Sequence, residues 1–243
     1  MTAAGAWWTP WRETGDSLIL HVDLRPHPGR ERQAVALLDE HEQARCETIL
    51  GSDARRRFVL CRAALRINLC DRLRCANREL SFGYLEYGKP YAKVNGEAPA
   101  PGPSFNVSRS FNVSHSGEHG LIGFAKQEAL GVDLEVRIPG RDFDGIGSVV
   151  YGPCERLALS AAAGTAKAYL FYRLWSLKEA LIKALGTGFS LDPSRFEVPR
   201  SMLEGSPAAL FRFPHLPADR FWLEDLGESR FAAARACRLS GPG

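Results

Sequence analysis

Four short segments of this 243-residue chain combine residue types that can do chemistry. The first is Gly131-Val-Asp-Leu-Glu-Val136. On a strand, successive side chains point to opposite faces, so Asp133 and Glu135 project together while Val132, Leu134 and Val136 project the other way. Two adjacent carboxylates repel unless a cation sits between them. Oxygen ligands without His or Cys suit a hard cation such as magnesium. An amphipathic strand with a solvated acidic face explains the same pattern equally well. The second segment is Trp175-Ser-Leu-Lys-Glu-Ala-Leu-Ile-Lys183, in which Glu179 and Lys183 share one helix face. Leu177, Leu181 and Leu185 line another stripe. A capping box of Ser176 with Glu179, or a plain Glu179–Lys183 ion pair, accounts for that spacing as readily.

The third segment, Asn112-Val-Ser-His-Ser-Gly117, places hydroxyls, an imidazole and a glycine on one turn. Such groups can bond phosphate oxygens, and glycine lets backbone approach closely. An ordinary turn with a surface histidine is the alternative. The fourth is a helical run whose arginines, from Arg55 to Arg66, could face a phosphate or simply water.

Composition narrows the class. Hydrophobic residues are 45% and charged residues 24%, ordinary for a soluble globular protein with its own core. A net charge of +3 is small for a general nucleic-acid binder, but its sign suits acidic ligands or partners. Arginine supplies 25 of the 31 basic residues. Its planar fork suits phosphate and carboxylate, although genomic base composition also explains the total. The six cysteines form no CxxC pair, so they read as reduced thiols in a reducing compartment. The first residues lack a basic-then-apolar leader, and no apolar run approaches membrane-spanning length. The sequons Asn106-Val-Ser108 and Asn112-Val-Ser114 therefore read as chance matches. The expectation is a cytoplasmic protein with no membrane or nucleic-acid partner.

These residues need elements to position them. Ser17 to Leu24 alternates as a strand, ended by Pro26 and Pro28. A helix is expected from about Arg30 to Ile49, and a second from an N-cap near Asp53 past Leu73. Glu86 to Pro90 is a turn signal, and the Pro/Gly-rich stretch from Asn95 to Ser104 reads as a surface loop. Short strands at Ser110–Val113 and Gly120–Ala125 flank a His-Ser-Gly turn, and Leu130–Val136 is another strand. A loop over Arg137–Gly147 leads to helices at Pro153–Ala163 and Ala168–Leu185, the latter closed by Gly186-Thr-Gly188. Strands with Pro-containing turns follow from Phe196. Phe105-Asn-Val-Ser108 recurs as Phe111-Asn-Val-Ser114, which is too short for a repeat architecture.

In order and spacing these motifs resemble the 4′-phosphopantetheinyl transferase superfamily, in its larger members that activate secondary-metabolite and fatty-acid synthases. The resemblance rests on Arg57-Phe58…Arg62…Leu65-Arg66, Gly88-Lys-Pro90, Phe111-Asn-Val-Ser-His-Ser-Gly117, Gly131-Val-Asp-Leu-Glu135, and Trp175 to Lys183 trailed by Gly186-Thr-Gly188. It implies an α+β fold of two similar α/β halves about a pseudo-twofold axis, with the active site between them. Residues 1–129 would form the half with the coenzyme A-binding basic helix and the FNVSHSG turn. Residues 130–243 would form the half with the acidic residues and the WSLKEALIK helix. The implied activity is magnesium-dependent transfer of phosphopantetheine from coenzyme A to a serine of an apo acyl or peptidyl carrier protein. Adenosine 3′,5′-bisphosphate is released.

The resemblance also implies roles. Asp133, Glu135 and Glu179 match the magnesium ligands, with Asp133, Glu179 and Lys183 as catalytic groups. Either Glu179 or a metal-bound water would be the base. Lys183 and His115 match groups on the coenzyme A diphosphate, and Ser114 and Lys89 match further coenzyme A contacts. Arg45 and Arg57 match positions on its 3′-phosphate and adenosine end. Glu42 stands where some relatives carry a basic residue, which shifts that role toward the arginines around Arg57. The second FNVS copy is the functional one, since it alone precedes a histidine, whereas the first precedes Arg109. A coenzyme A binder without the reaction and a plain scaffold are the rival readings. One chain carries all the motifs, so a monomer suffices, and the carrier's pathway stays open.

Overall fold

The computed structural model describes residues 6–14, 17–98, 111–125 and 129–239. The chain forms two units, Met1–Glu86 with Pro90–Glu128, and Tyr87–Lys89 with Ala129–Gly243. Among the described residues every strand pairing is antiparallel, and both units contain helices as well as strands. The first FNVS copy, residues 105–108, lies outside the described residues.

In unit 1, strands β1 (Trp8–Thr14), β2 (Ser17–Asp23), β5 (Phe111–Ser116) and β6 (His119–Ala125) form a sheet in the order β1-β2-β6-β5. The register slips between Pro10 and Arg12. β1 is an edge strand, where a proline is tolerated because its missing N–H is not needed. Strands β3 (Leu80–Tyr84) and β4 (Pro90–Val94) form a separate hairpin closed by the expected turn. Helix α3 (Ser52–Leu73) has no Gly or Pro in its interior. It buries Val59, Leu60, Ala63 and Ala64 in one core with Leu20, Val22, Ile122 and Phe124.

The single helix expected over 30–49 is two, α1 (Pro28–Val35) and α2 (Glu40–Thr48). Asp39 breaks it by capping α2. Its carboxylate accepts from the Glu42 amide at 2.9 Å, and Glu42 Oε2 accepts from the Asp39 amide at 3.0 Å. This is a reciprocal capping box. Arg66 locks the arrangement from within. Its guanidinium is 1% exposed, and all five of its N–H groups meet Asp39, Glu42, the Asn77 side chain and the carbonyls of Asn77 and Leu80.

In unit 2, strands β7 (Leu130–Val136), β8 (Ala208–Phe213), β9 (Leu216–Asp225) and β10 (Phe231–Arg238) take the order β7-β10-β9-β8. Helices α4 (Phe143–Val150), α5 (Pro153–Ala161), α6 (Gly164–Leu185) and α7 (Arg200–Leu203) accompany them. The loop expected over 137–147 is shortened because Asp142 caps α4, accepting from the Gly145 amide. Helix α6 packs on β7 and β10 across small residues. Ala232, Ala234 and Ala236 of β10 share its core with Ala180 and Ala184 of the helix. The approach is closest at Gly131, where a Cβ would lie 2.0 Å from the Ala180 carbonyl oxygen and 2.4 Å from the Ala184 nitrogen.

A buried ion pair fixes α6 about its axis. Lys178 is 1% exposed and its Nζ donates to Glu155 Oε2 and to the Phe196 carbonyl, both at 2.5 Å. Glu155 of α5, fully buried, also accepts from the amides of Gly152 and Val198.

Two stability measurements check this packing. Gly131→Ala must push strand from helix and should cost about 2 kcal/mol or more in chemical denaturation; a loss under about 0.5 kcal/mol would contradict the close approach. Lys178→Met strands a buried carboxylate and should cost about 3–5 kcal/mol, whereas Lys178→Met with Glu155→Leu should recover most of it.

Candidate active site

Gly131, Asp133 and Glu135 fall on one face of β7. Their partners on β10 are Ala236, Ala234 and Ala232, the residues that sit beneath α6. The acidic pair therefore faces the helix. Asp133 is 2% exposed and Glu135 is half-buried, which rules out a fully solvated acidic face. From the last turns of α6 comes Lys183, whose Nζ lies 2.7 Å from Asp133 Oδ1. Glu179 stands one turn earlier on the same helix face. Burial pushes its carboxyl up from the usual carboxylate value; Lys183 pulls it back down and Asp133 pushes it further up. Asp133, Glu179 and Lys183 thus form one electrostatic group, with Glu135 on the same strand face.

The capping-box reading of Ser176 is excluded. Helix α6 begins at Gly164, so Ser176 lies inside it, fully buried, and its first turn is elsewhere. The C-terminal end is as expected, with Gly186 in the left-handed conformation at φ +81°.

The group can hold a cation by the chemistry of its donors. Asp133 and Glu135 share the β7 face toward α6 and Glu179 stands on that helix, and oxygen donors alone suit a hard divalent ion. As the side chains stand, no three His, Cys, Asp or Glu among the described residues surround one point closely enough to hold a metal ion. The Lys183 ammonium lies on Asp133 and offsets part of the carboxylate repulsion.

The other expected site residues divide between the units. Ser114, His115, Arg45 and Arg57 belong to unit 1. His115 is on strand β5 rather than in a turn; the turn is Gly117–Glu118, with Gly117 at φ +57°. Strand alternation sends the buried Ser114 and the exposed His115 to opposite faces. Arg45 is exposed on α2, its guanidinium 5.4 Å from the Phe58 ring. It lines a cavity of about 330 Å³ with His41, Phe58, Arg62 and Tyr84. Arg57 is half-buried on α3. Glu42, read as a departure at a phosphate site, is buried and pairs with Arg66 at 2.9 Å and Arg62 at 3.4 Å. Of the arginine-rich motif, Arg66 thus faces the interior and presents nothing to a phosphate.

Lys89 belongs to unit 2. Its Nζ donates to the carbonyls of Leu130 at 3.2 Å, Lys183 at 3.0 Å and Ala184 at 3.3 Å, and burial pushes its ammonium down to about 8. The buried pair of Lys178 and Glu155 was not singled out in the sequence, although Lys178 lies inside the most specific motif. A Pro at the start of α5 followed by Glu155 was the one available sign.

Comparisons with known proteins fall on the same residues. The family model for the 4′-phosphopantetheinyl transferase superfamily matches residues 129–236, which include Asp133, Glu135, Glu179 and Lys183. A putative 4′-phosphopantetheinyl transferase of Synechocystis sp. is 37% identical over 155 residues, 64% of this chain and 59% of its own length. The 4′-phosphopantetheinyl transferase HetI of Nostoc sp. is 30% identical over 173 residues, 71% of this chain and 69% of the relative. A 4′-phosphopantetheinyl transferase of Bacillus subtilis is 28% identical over 179 residues, 74% of each chain. A buried aspartate–lysine contact beside a desolvated glutamate, held in the region the family shares, agrees with these matches: the chain belongs to the 4′-phosphopantetheinyl transferase superfamily.

Proposed function

We infer that the chain transfers 4′-phosphopantetheine from coenzyme A to a serine of an apo acyl or peptidyl carrier protein. The observation that carries this reading is the Asp133–Lys183 contact beside Glu179, inside the segment matched by the family. The serine hydroxyl attacks the phosphorus that bears the pantetheine arm. The bond to the diphosphate bridging oxygen breaks, and adenosine 3′,5′-bisphosphate leaves. Such reactions depend mainly on positioning and charge stabilisation.

Each residue then has a task. Lys183 and His115 bind the diphosphate and offset the charge that grows on it. Glu179, whose burial raises its affinity for a proton, takes the proton of the serine hydroxyl. Ser114, Arg45 and Arg57 hold the coenzyme A. Asp133, Glu135 and Glu179 are the residues that would hold magnesium, which when bound would clamp the diphosphate and spread its negative charge.

A four-stranded antiparallel sheet and a 22-residue helix in each unit support a fold of two similar halves. For the partner, unit 2 offers a cavity of about 690 Å³ lined by Arg137, Lys167 and Arg230 beside Phe143 and Tyr169. Cations flanked by aromatic rings suit an acidic, partly apolar surface. All six cysteines are free thiols, which suits a reducing compartment, and no described helix is long and apolar enough to cross a membrane.

The reading is checked by the mass gain of several apo carriers incubated with coenzyme A, magnesium and this protein. Asp133→Ala should reduce transfer at least about a hundredfold while leaving the circular dichroism spectrum unchanged. Full activity in that variant would sink the acidic site; no mass gain with any carrier, despite coenzyme A binding, would favour the binder. His115→Ala should raise KM for coenzyme A more than it lowers kcat, and an unchanged KM would remove His115 from the diphosphate.

A further inference from the structure

The motif Gly88-Lys-Pro90 and the turn Gly186-Thr-Gly188 were singled out separately in the sequence. In the structure they meet. The Lys89 side chain runs against the end of α6, so that a Cβ on Gly186 would lie 3.1 Å from Lys89 Cδ. The Gly188 Cα sits close to the Tyr87 carbonyl, where a Cβ would be 3.6 Å away. Gly88 at φ +80° turns the chain so that Lys89 can enter. The head group then finds three main-chain carbonyls. Two, Lys183 and Ala184, are among the last four of α6, which have no partner inside the helix. The third, Leu130, opens strand β7.

An ammonium carries three N–H donors and no acceptor. All three donors have a carbonyl here, so none is left for a phosphate oxygen. A cation at the negative end of a helix is also where the macrodipole favours it. We propose that Lys89 is a positioning residue, clamping the C-terminal turn of α6 to the start of β7 and thereby setting Lys183 against Asp133. Its ammonium is not a ligand of the coenzyme A phosphates. The proposal rests on the catalytic reading of Lys183 and Asp133 given above.

Three variants and two readouts test it. Lys89→Met keeps length and removes the donors, Lys89→Gln keeps two donors, and Lys89→Arg keeps the charge. Backbone amide exchange in residues 183–186 should speed at least tenfold in Lys89→Met. Unchanged exchange overturns the clamp, and this readout is independent of whether the protein is a transferase. In the transfer assay, Lys89→Met should lower kcat at least tenfold with KM for coenzyme A within twofold. Lys89→Arg should not rescue it, because a planar fork cannot place its donors on three converging carbonyls. A tenfold rise in KM at unchanged kcat, restored by arginine, would make Lys89 a phosphate ligand instead. In a Lys183→Met background, Lys89→Met should cause no further loss of kcat, since it acts through Lys183. Additive losses would show a merely structural effect and overturn the positioning role. If Lys89→Met fails to fold, Lys89→Gln is read against the same outcomes.

Discussion

Helix α6 lies on its sheet at a distance that only small residues permit, and everything proposed for the site depends on that distance. Gly131 supplies the closest point, because its missing Cβ is the space that the Ala180 carbonyl and the Ala184 amide occupy. Two positions along the same strand face is Asp133, and one turn beyond Glu179 on the helix is Lys183. Were the strand and helix an ångström or two farther apart, the 2.7 Å contact between Asp133 and Lys183 would open. The same separation governs how strongly Asp133 acts on Glu179, since charge interactions in a buried region fall off with distance and gain from low dielectric. A glycine in a strand interior is ordinarily a weakness; here it is what allows the faces that carry Asp133 and Lys183 to meet.

The basic residues of this chain fall into two populations that composition cannot distinguish. Arg66 and Lys178 are almost wholly buried, and Lys89 is held by three carbonyls. These groups organise the backbone. Arg66 ties α2, α3 and the chain before β3 together, and Lys178 ties α6 to α5 and to the segment before α7. Lys183 and Arg45 keep part of their surface toward solvent. Removing an internal cation leaves an uncompensated carboxylate or a row of orphan carbonyls, which destabilises. Removing the exposed Arg45 disturbs the fold less, whereas removing Lys183 leaves the buried Asp133 uncompensated.

Much of the fold was legible because it follows from short-range pattern. The alternation of β2 and β7, the long α3 and the glycine stop of α6 were each readable from a few neighbours. Strands β1, β3 and β4 were not, since their pairing depends on partners elsewhere in the chain and β1 carries a proline. The break between α1 and α2 had a local signal in Asp39 and Glu42, and the apolar run from Ala34 to Leu38 masked it. At the site, the shared face of Asp133 and Glu135 was legible from alternation. Their facing α6 was not, because that depends on register against β10. A sequence shows Lys89 as a basic residue between glycine and proline, and not the three carbonyls that converge on its ammonium.

The motif from Trp175 to Lys183 shows how the helix sorts like residues into unlike roles. Successive positions turn by about 100°, so Glu179 and Lys183 differ by about 40°, whereas Lys178 stands about 100° from Glu179. Two lysines of one motif therefore cannot serve one site. Lys178 meets Glu155 in a fully buried pair, and that pair fixes the rotation of the helix about its axis. Once the rotation is set, Glu179 and Lys183 have no choice but to face the acidic strand. The buried lysine thus determines where Lys183 points, and the five-position spacing of the two lysines, about 140° round the helix, keeps the two functions apart.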